Sequence, residues 1–543
     1  MTSLNALARA PAARTRSPVE ITAAAALLAF AAVPFWAGRY LPFLDLPQHL
    51  ALSRIIAAYH DPATRFADYY AIDWRITPYW GFYAAMLVLQ QVTPAELAAR
   101  MLFTAYAVGL PLGAAYCLAS FGRDWRWAVL TLPLVYNTNL FLGFATFNLS
   151  LPLFLFALGA SARHVASNRF DLHQSISVAA LAGLVYLFHV QSYALLGLCV
   201  VTLGAIHWRG LRWAVARASP YSLSLLLFAP WFRRSFVTPE PQPPSDCDVV
   251  GHYHQGYGRF GDLDPRFEPL PRLVATIPER LVGAFNDGSD YRIGAALLVV
   301  FLAALALRSP RRSNVTRTLR EAVLEWRGHV VCLVLFCGYL FAPIEIKGQW
   351  YINPRHLVFA ALTAPLLLGA PASGRGRVVL WAGAALAVAA SANAARQISR
   401  FQYEVGPFDA VISRTEPGRR MMGLIFEDGD GGAIRWWPFV HWACYYQVRR
   451  GGDVSFSFAG LPSIPVVYRH GMRGPHPDEW SPEDFDWNTM APAYDWFLVR
   501  GRPVGGATAL LARADLVAAA GPWTLYRQRM PRVTSSGLCS PPR

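Results

Sequence analysis

Apolar runs recur along the chain between residues 20 and 395, separated by short polar stretches rich in arginine. Their spacing predicts about eleven spanning helices. These are Ile21–Trp36, Met101–Phe121, Trp127–Tyr136, Leu149–Ala162, Ser175–Phe188, Tyr193–Ile206, Tyr221–Phe232, Tyr291–Leu307, Val330–Ala342, Leu357–Leu368 and Val378–Ala395. Several runs fall short of the roughly 20 residues a helix needs to cross a bilayer, so their ends can move by a few residues. Between the first two spans lies a long loop, residues 39–97, with helices predicted over Pro47–Tyr59 and Tyr79–Val92. Past residue 395 the long runs stop. Strand-like alternation covers Met421–Phe426, Pro465–Tyr468, Trp496–Val499 and Trp523–Arg527, and helical patterns cover Phe408–Arg414 and Ala507–Ala520. The predicted fold is a polytopic α-helical membrane protein, residues 1–395, followed by a small C-terminal α/β domain, residues 396–543.

Composition sharpens this picture. Of 543 residues, 54% are hydrophobic and 15% charged, against about 25% charged in ordinary soluble chains. The net charge of +15 does not indicate nucleic acid, because the arginines lie in short loops between apolar runs. Arg123, Arg126, Arg163, Arg169, Arg209, Arg212, Arg217, Arg375 and Arg377 fall on one side, whereas the loops at 137–148 and 189–191 carry no lysine or arginine. By the positive-inside rule this puts the N-terminus in the cytoplasm of a bacterial inner membrane and the long loop and C-terminal domain outside. Ala29-Phe-Ala31 has the small residues of a signal-peptide cleavage site, but the run stays apolar past it and many spans follow. The seven cysteines have no metal-ligand spacing; a disulfide is open only among Cys247, Cys444 and Cys539, the three in outer segments.

Candidate chemistry gathers at the predicted outer mouths of the spans, where ionisable side chains are costly unless they face a cavity. Asp45 and His49 are four residues apart in Leu41-Pro-Phe-Leu-Asp45-Leu-Pro-Gln-His49, which sets them together at the start of a helix. Asp45 can serve as a general base, a ligand for a divalent cation, or a helix cap; His49 can orient it or the acceptor. Arg100 opens the second span, and His189 ends the fifth. A late loop holds Glu345, Lys347 (the only lysine of the chain), Tyr351, Arg355 and His356. Lys347 with Arg355 suits a phosphate or pyrophosphate, and the neighbouring aromatic side chains suit a sugar face or an isoprenoid chain. A base opposite such cations is what displacement of a phosphate by a hydroxyl or amine requires.

One inward-to-outward helix, a long outer loop with an early acidic residue, a many-span core and a soluble outer domain: this order resembles the GT-C class of integral membrane glycosyltransferases, in particular the protein O-mannosyltransferase and lipid A aminoarabinose transferase branches. The resemblance covers residues 20–395 as architecture. It implies a polyprenyl-phosphate-linked sugar donor in the bilayer, a glycan, lipid or protein acceptor on the outer face, and inversion at the sugar carbon. It also implies Asp45 as catalytic acid residue of the first outer loop, Arg100 as the arginine that starts the next span, and Lys347 with Arg355 as the phosphate-binding cations. Residues 137–148 depart from the pattern by offering asparagines where many members have an aspartate, and Asp45 lacks an adjacent acidic partner. Competing readings are a polymerase or ligase of pyrophosphate-linked glycans, and a non-catalytic transporter or scaffold; no internal repeat and no charge near the centre of a span favours a transporter.

Overall fold

The computed structural model describes residues 18–237, 264–307, 319–346, 349–369, 373–461 and 463–529. Cys247, Cys539 and Lys347 lie outside the described residues. Among the described residues the following helices, with further helical segments between them, organise the chain. They are α1 Pro18–Ala32, α2 Leu46–Ala57, α3 Trp80–Leu89, α4 Ala95–Ser120, α5 Ala145–Ala166, α6 Leu172–Phe188, α7 Val190–Ile206, α8 Ser289–Ala306, α9 Leu319–Phe341, α10 Ile352–Thr363 and α11 Ser373–Val405. Six helices among the described residues are long and apolar enough to cross a membrane, and α3, α6 and α7 are shorter apolar helices.

Most helices begin or end beyond the predicted runs, because polar residues at helix ends break the apolar pattern without breaking the helix. Two predicted spans take another form. Trp125–Tyr136 is a 3-10 helix containing Pro133, whose twelve residues at about 2.0 Å each reach about 24 Å. Residues 211–237 form a broken run in which the α-helix Ser222–Phe232 sits between a 3-10 turn and a π turn.

At the centre of the bundle stands α5, with 89% of its most apolar window buried, whereas α8 has 17% and faces outward. Small residues let α4 and α5 approach closely: a Cβ on Gly159 would lie 3.0 Å from the Cys117 Cα, and one on Gly113 would lie 2.9 Å from the Pro152 carbonyl oxygen. Asp171 caps α6 by accepting from the Gln174 N–H, and Pro47 in the first turn of α2 leaves no N–H unsatisfied there.

Strand β1, Tyr70–Ile72, belongs to the long loop. A small ribbon follows, β2 Pro265–Arg266, β3 Glu345–Ile346 and β4 Gln349–Trp350. The segment after α11 carries β5 Arg420–Ile425, β6 Asp453–Val454, β7 Val466–Tyr468, β8 Trp496–Arg500, β9 Ala514–Ala520 and β10 Trp523–Gln528. Five of these make a mixed sheet in the order β6-β5-β8-β10-β9, parallel across β6, β5 and β8 and antiparallel beyond. The strands match the alternation predicted for them closely. The helix predicted over Ala507–Ala520 is corrected: only Leu510–Arg513 is α-helical, and Ala514–Ala520 is an edge strand. Alanine favours helix locally, but the turn at Gly521 (φ +56°) brings this segment alongside β10, whose ladder overrides the preference.

The long loop and the tail fold as one body. β1 pairs antiparallel with β7, Tyr70 opposite Tyr468, and one continuous apolar core runs from Phe35 and Phe43 to Trp442 and Trp523. Helix α11 continues through the predicted domain boundary at residue 395 to Val405. Beneath the sheet, Arg420 donates to Asp453 at 2.9 and 2.8 Å with both side chains 1% exposed, and the Tyr70 hydroxyl donates to the same carboxylate at 2.5 Å. Removing one member of a buried ion pair strands the other charge. Asp453→Ala is therefore expected to lower stability by about 3–5 kcal/mol, read as a fall in the thermal unfolding midpoint of the purified protein in detergent.

Candidate functional site

Asp45 sits at the N-cap of α2 but makes no side-chain capping bond. That leaves its carboxylate for other partners, and the capping role drops out. Its backbone is pinned by the loop at 137–144: the Leu44 N–H donates to the Phe141 carbonyl at 3.0 Å. Gly143 approaches so closely, at φ +80°, that a Cβ there would lie 2.2 Å from the Asp45 nitrogen.

The side chain facing Asp45 is His441, from the tail, rather than His49. His441 Nε2 lies 3.3 Å from Asp45 Oδ1, and on the other side of the ring Nδ1 lies 3.5 Å from Glu479 Oε2. The ring stacks on Phe456 with centroids 5.5 Å apart and planes 9° from parallel. His441 and Glu479 are 3% and 6% exposed at the side chain, Asp45 15%. Burial, reinforced by the charges of Asp45 and Asp478, pushes the Glu479 carboxyl well above its ordinary range. A cavity of about 20 Å³ lined by Gln48, His441, Asp478 and Glu479 adjoins the pair, room for about one water. Neither His441 nor Glu479 was singled out from the sequence. The available signal was the aromatic crowding of Trp436-Trp-Pro-Phe-Val-His441-Trp442 in an otherwise polar tail.

His49 points to Tyr83, its Nδ1 lying 3.0 Å from the hydroxyl oxygen, with Phe82 and Phe458 edge-on to the ring. The structure brings Arg355 to the same region by another route. Its guanidinium carbon lies 4.3 Å from the centroid of Phe144, the residue after Gly143, and 5.9 Å from that of Phe147; its Nη1 lies 3.5 Å from Gln191 Oε1. The Asp45 backbone and the Arg355 guanidinium thus pack on successive residues, Gly143 and Phe144, of one loop. His189 packs on Phe147 and Tyr79 with its Nδ1 3.4 Å from the Ser192 hydroxyl. Tyr351, at φ +66°, is buried against Phe144 and Trp436, and its hydroxyl has no hydrogen-bond partner among the described residues.

Three predicted residues lie elsewhere. Arg100 donates to the backbone carbonyls of Phe35, Gly38 and Arg39 just past α1, where a cation suits the negative end of a helix. Glu345 pairs with Arg266 across the ribbon at 3.3 Å. His356 packs against Gly338 of α9, where a Cβ would lie 2.4 Å from its Nδ1. Of the asparagines, Asn137 and Asn148 bond to each other at 3.1 Å and close the loop internally.

No protein-family model matches the chain, and no curated protein matches it significantly. Among solved structures, the crystal structure of ArnT from Cupriavidus metallidurans bound to undecaprenyl phosphate aligns over 96% of this chain and 99% of that one. The TM-score is 0.50 and the identity 14%. The fold is similar to that of ArnT. The apo form of the same enzyme aligns at TM-score 0.49 and 13% identity over the same shares. The cryo-EM structure of the arabinofuranosyltransferase AftD from Mycobacteria aligns over 94% of this chain and 40% of that one, at TM-score 0.47 and 13% identity. The resemblance to the GT-C class drawn from residues 20–395 is therefore met at the level of the fold.

A divalent cation does not fit the residues gathered here. Asp45 and Glu479 lie on opposite nitrogens of His441, so the three form a line with the ring between the carboxylates, not a cage. Among the described residues no group of three or more His, Cys, Asp or Glu converges as a metal site.

Burial of the His49 ring lowers its pKa from 6.5 to about 4, the Asp45 charge opposing and the His441 ring adding to the shift. The neutral ring is thus the folded form. Stability is full above pH 6.5, where the unfolded histidine is also neutral, and falls as pH drops toward 4, by about 3 kcal/mol in total. Unfolding midpoints of wild type and His49→Gln between pH 7 and 4 are expected to diverge, the variant showing the shallower loss.

Proposed function

We propose that the chain is a membrane glycosyltransferase that moves a sugar from a polyprenyl-phosphate donor to an acceptor on the periplasmic or extracellular face. The observation that carries this reading is that the Asp45 backbone packs on Gly143 and the Arg355 guanidinium on Phe144, consecutive residues of one loop. In this reading Asp45 removes a proton from the acceptor hydroxyl or amine as that atom attacks the anomeric carbon. The bond from that carbon to the phosphate oxygen breaks, its electron pair leaves with the phosphate, and the configuration inverts. Arg355 stabilises the charge growing on the leaving phosphate, and Lys347, in the same loop of the sequence, is a second cation for it. Tyr351 and His189 border the space for the sugar. The fold shared with ArnT, crystallised with undecaprenyl phosphate, supports a polyprenyl phosphate as the lipid. The arginine-rich loops on one side support an outward-facing site and tail.

The test is transfer of radiolabel from polyprenyl-phosphate sugars in membranes expressing the protein. Asp45→Asn is expected to reduce transfer by about 10²–10⁴-fold, as loss of a general base does, and Arg355→Ala by about 10²–10³-fold, both at wild-type expression. Equal transfer in wild type and Asp45→Asn would remove Asp45 from the chemistry. Transfer only from pyrophosphate-linked oligosaccharides would replace the reading with a glycan polymerase or ligase.

A further inference from the structure

The hydrogen bonds around Gln48 fix which nitrogen of His441 carries the proton. Gln48 Oε1 accepts from the Phe458 N–H at 3.0 Å, and Gln48 Nε2 donates to the Phe456 carbonyl at 3.2 Å. The amide cannot be reversed, since that would set its oxygen against a carbonyl and its NH2 against an N–H. Its nitrogen therefore faces His441 Nδ1, at 3.4 Å, as a donor. A ring nitrogen that receives a donor must be bare, which places the ring proton on Nε2, the atom 3.3 Å from Asp45 Oδ1.

We propose that His441 is a positioning residue of the transferase site: locked in its Nε2–H tautomer by Gln48, it donates to Asp45 and holds that carboxylate oriented as the base. The proposal rests on the glycosyltransfer reading for its chemistry and on the hydrogen-bond geometry for the tautomer. Glu479 completes the arrangement. Its Oε2 lies 3.5 Å from the same bare Nδ1 and has no hydrogen-bond partner among the described residues, a contact that suits a protonated carboxyl whose O–H turns to the ring. Burial favours that neutral form. The tail thus lends the membrane-embedded half of the chain a neutral support, with no proton moving along it during the reaction.

The other titratable groups facing this cluster are His49, Tyr83 and Asp478, with Cys444 beneath Glu479. His49 and Tyr83 bond to each other, so neither supplies the donor that His441 supplies.

The test has two arms. In the first, protein labelled with ¹⁵N-histidine in nanodiscs is compared with His441→Gln by NMR at neutral pH, to assign the His441 resonances. Protonated Nε2 and bare Nδ1 are expected; a proton on Nδ1 overturns the proposal whether or not transfer is detected. In the second, kcat and KM for sugar transfer are measured separately at neutral pH. His441→Phe keeps the stacking on Phe456 but has no donor, and its kcat is expected to fall about 10–10²-fold with KM unchanged. His441→Gln, whose amide retains a donor, is expected to restore most of the lost kcat, and Glu479→Gln, which keeps a neutral side chain beside Nδ1, to match wild type. An unchanged kcat in a folded His441→Phe protein overturns the positioning role. A kcat lowered in Glu479→Gln as far as in His441→Phe overturns the neutral support. The expected tautomer without transfer from any donor refutes the glycosyltransfer reading and, with it, His441 as an aid to a base.

Discussion

The geometry of the site depends on the close approach of Gly143 to the backbone of Asp45. No side chain fits between them, and φ of +80° at Gly143 is a conformation that L side chains rarely adopt. This contact, with the bond from the Leu44 N–H to the Phe141 carbonyl, presses the first outer loop onto the loop between the 3-10 helix and α5. Because Phe144 follows directly and carries Arg355 on its face, the same turn packs against both the Asp45 backbone and the Arg355 guanidinium. α5 gives that turn a rigid base, being the helix most enclosed by its neighbours.

From the other side the tail closes over the carboxylate. Its attachment is not a tether. A strand of the long loop pairs with β7, the Tyr70 hydroxyl reaches Asp453, and Arg420 neutralises that carboxylate in the interior. A flexible domain could not hold His441 within hydrogen-bonding reach of Asp45; a buried ion pair and a shared apolar core can. The tail thereby contributes side chains to the candidate site as well as covering it, and that site is divided between an apolar bundle and a mixed sheet.

Much of the fold was legible from apolar runs alone, because a helix in a bilayer must satisfy its backbone internally and show apolar side chains all round. The strands of the tail were legible for a similar local reason, as alternation marks one face against a core. The misreading of Ala514–Ala520 shows the limit: alanine carries a helix preference but no period, so the partner strand decided. Asp45 could be found because it lies early in an outer loop, two residues before a proline that starts a helix. Arg355 could be found because cations at span ends are costly and few.

By itself, then, the sequence determined the membrane class, the order of helices, the strands of the tail and two candidates for the site, all of which follow from periodicity and the cost of burying charge. Only the tertiary structure decided who stands beside Asp45. His49, four residues away, turns to Tyr83, while His441 arrives through Gln48, a neighbour separated from it by 393 residues. It also sets Arg100 on backbone carbonyls past α1, Glu345 on Arg266 and His356 on Gly338. A side chain's partner depends on which backbones can pack closely, and the pairing of glycines, strands and aromatic rings across that distance leaves no local pattern to read.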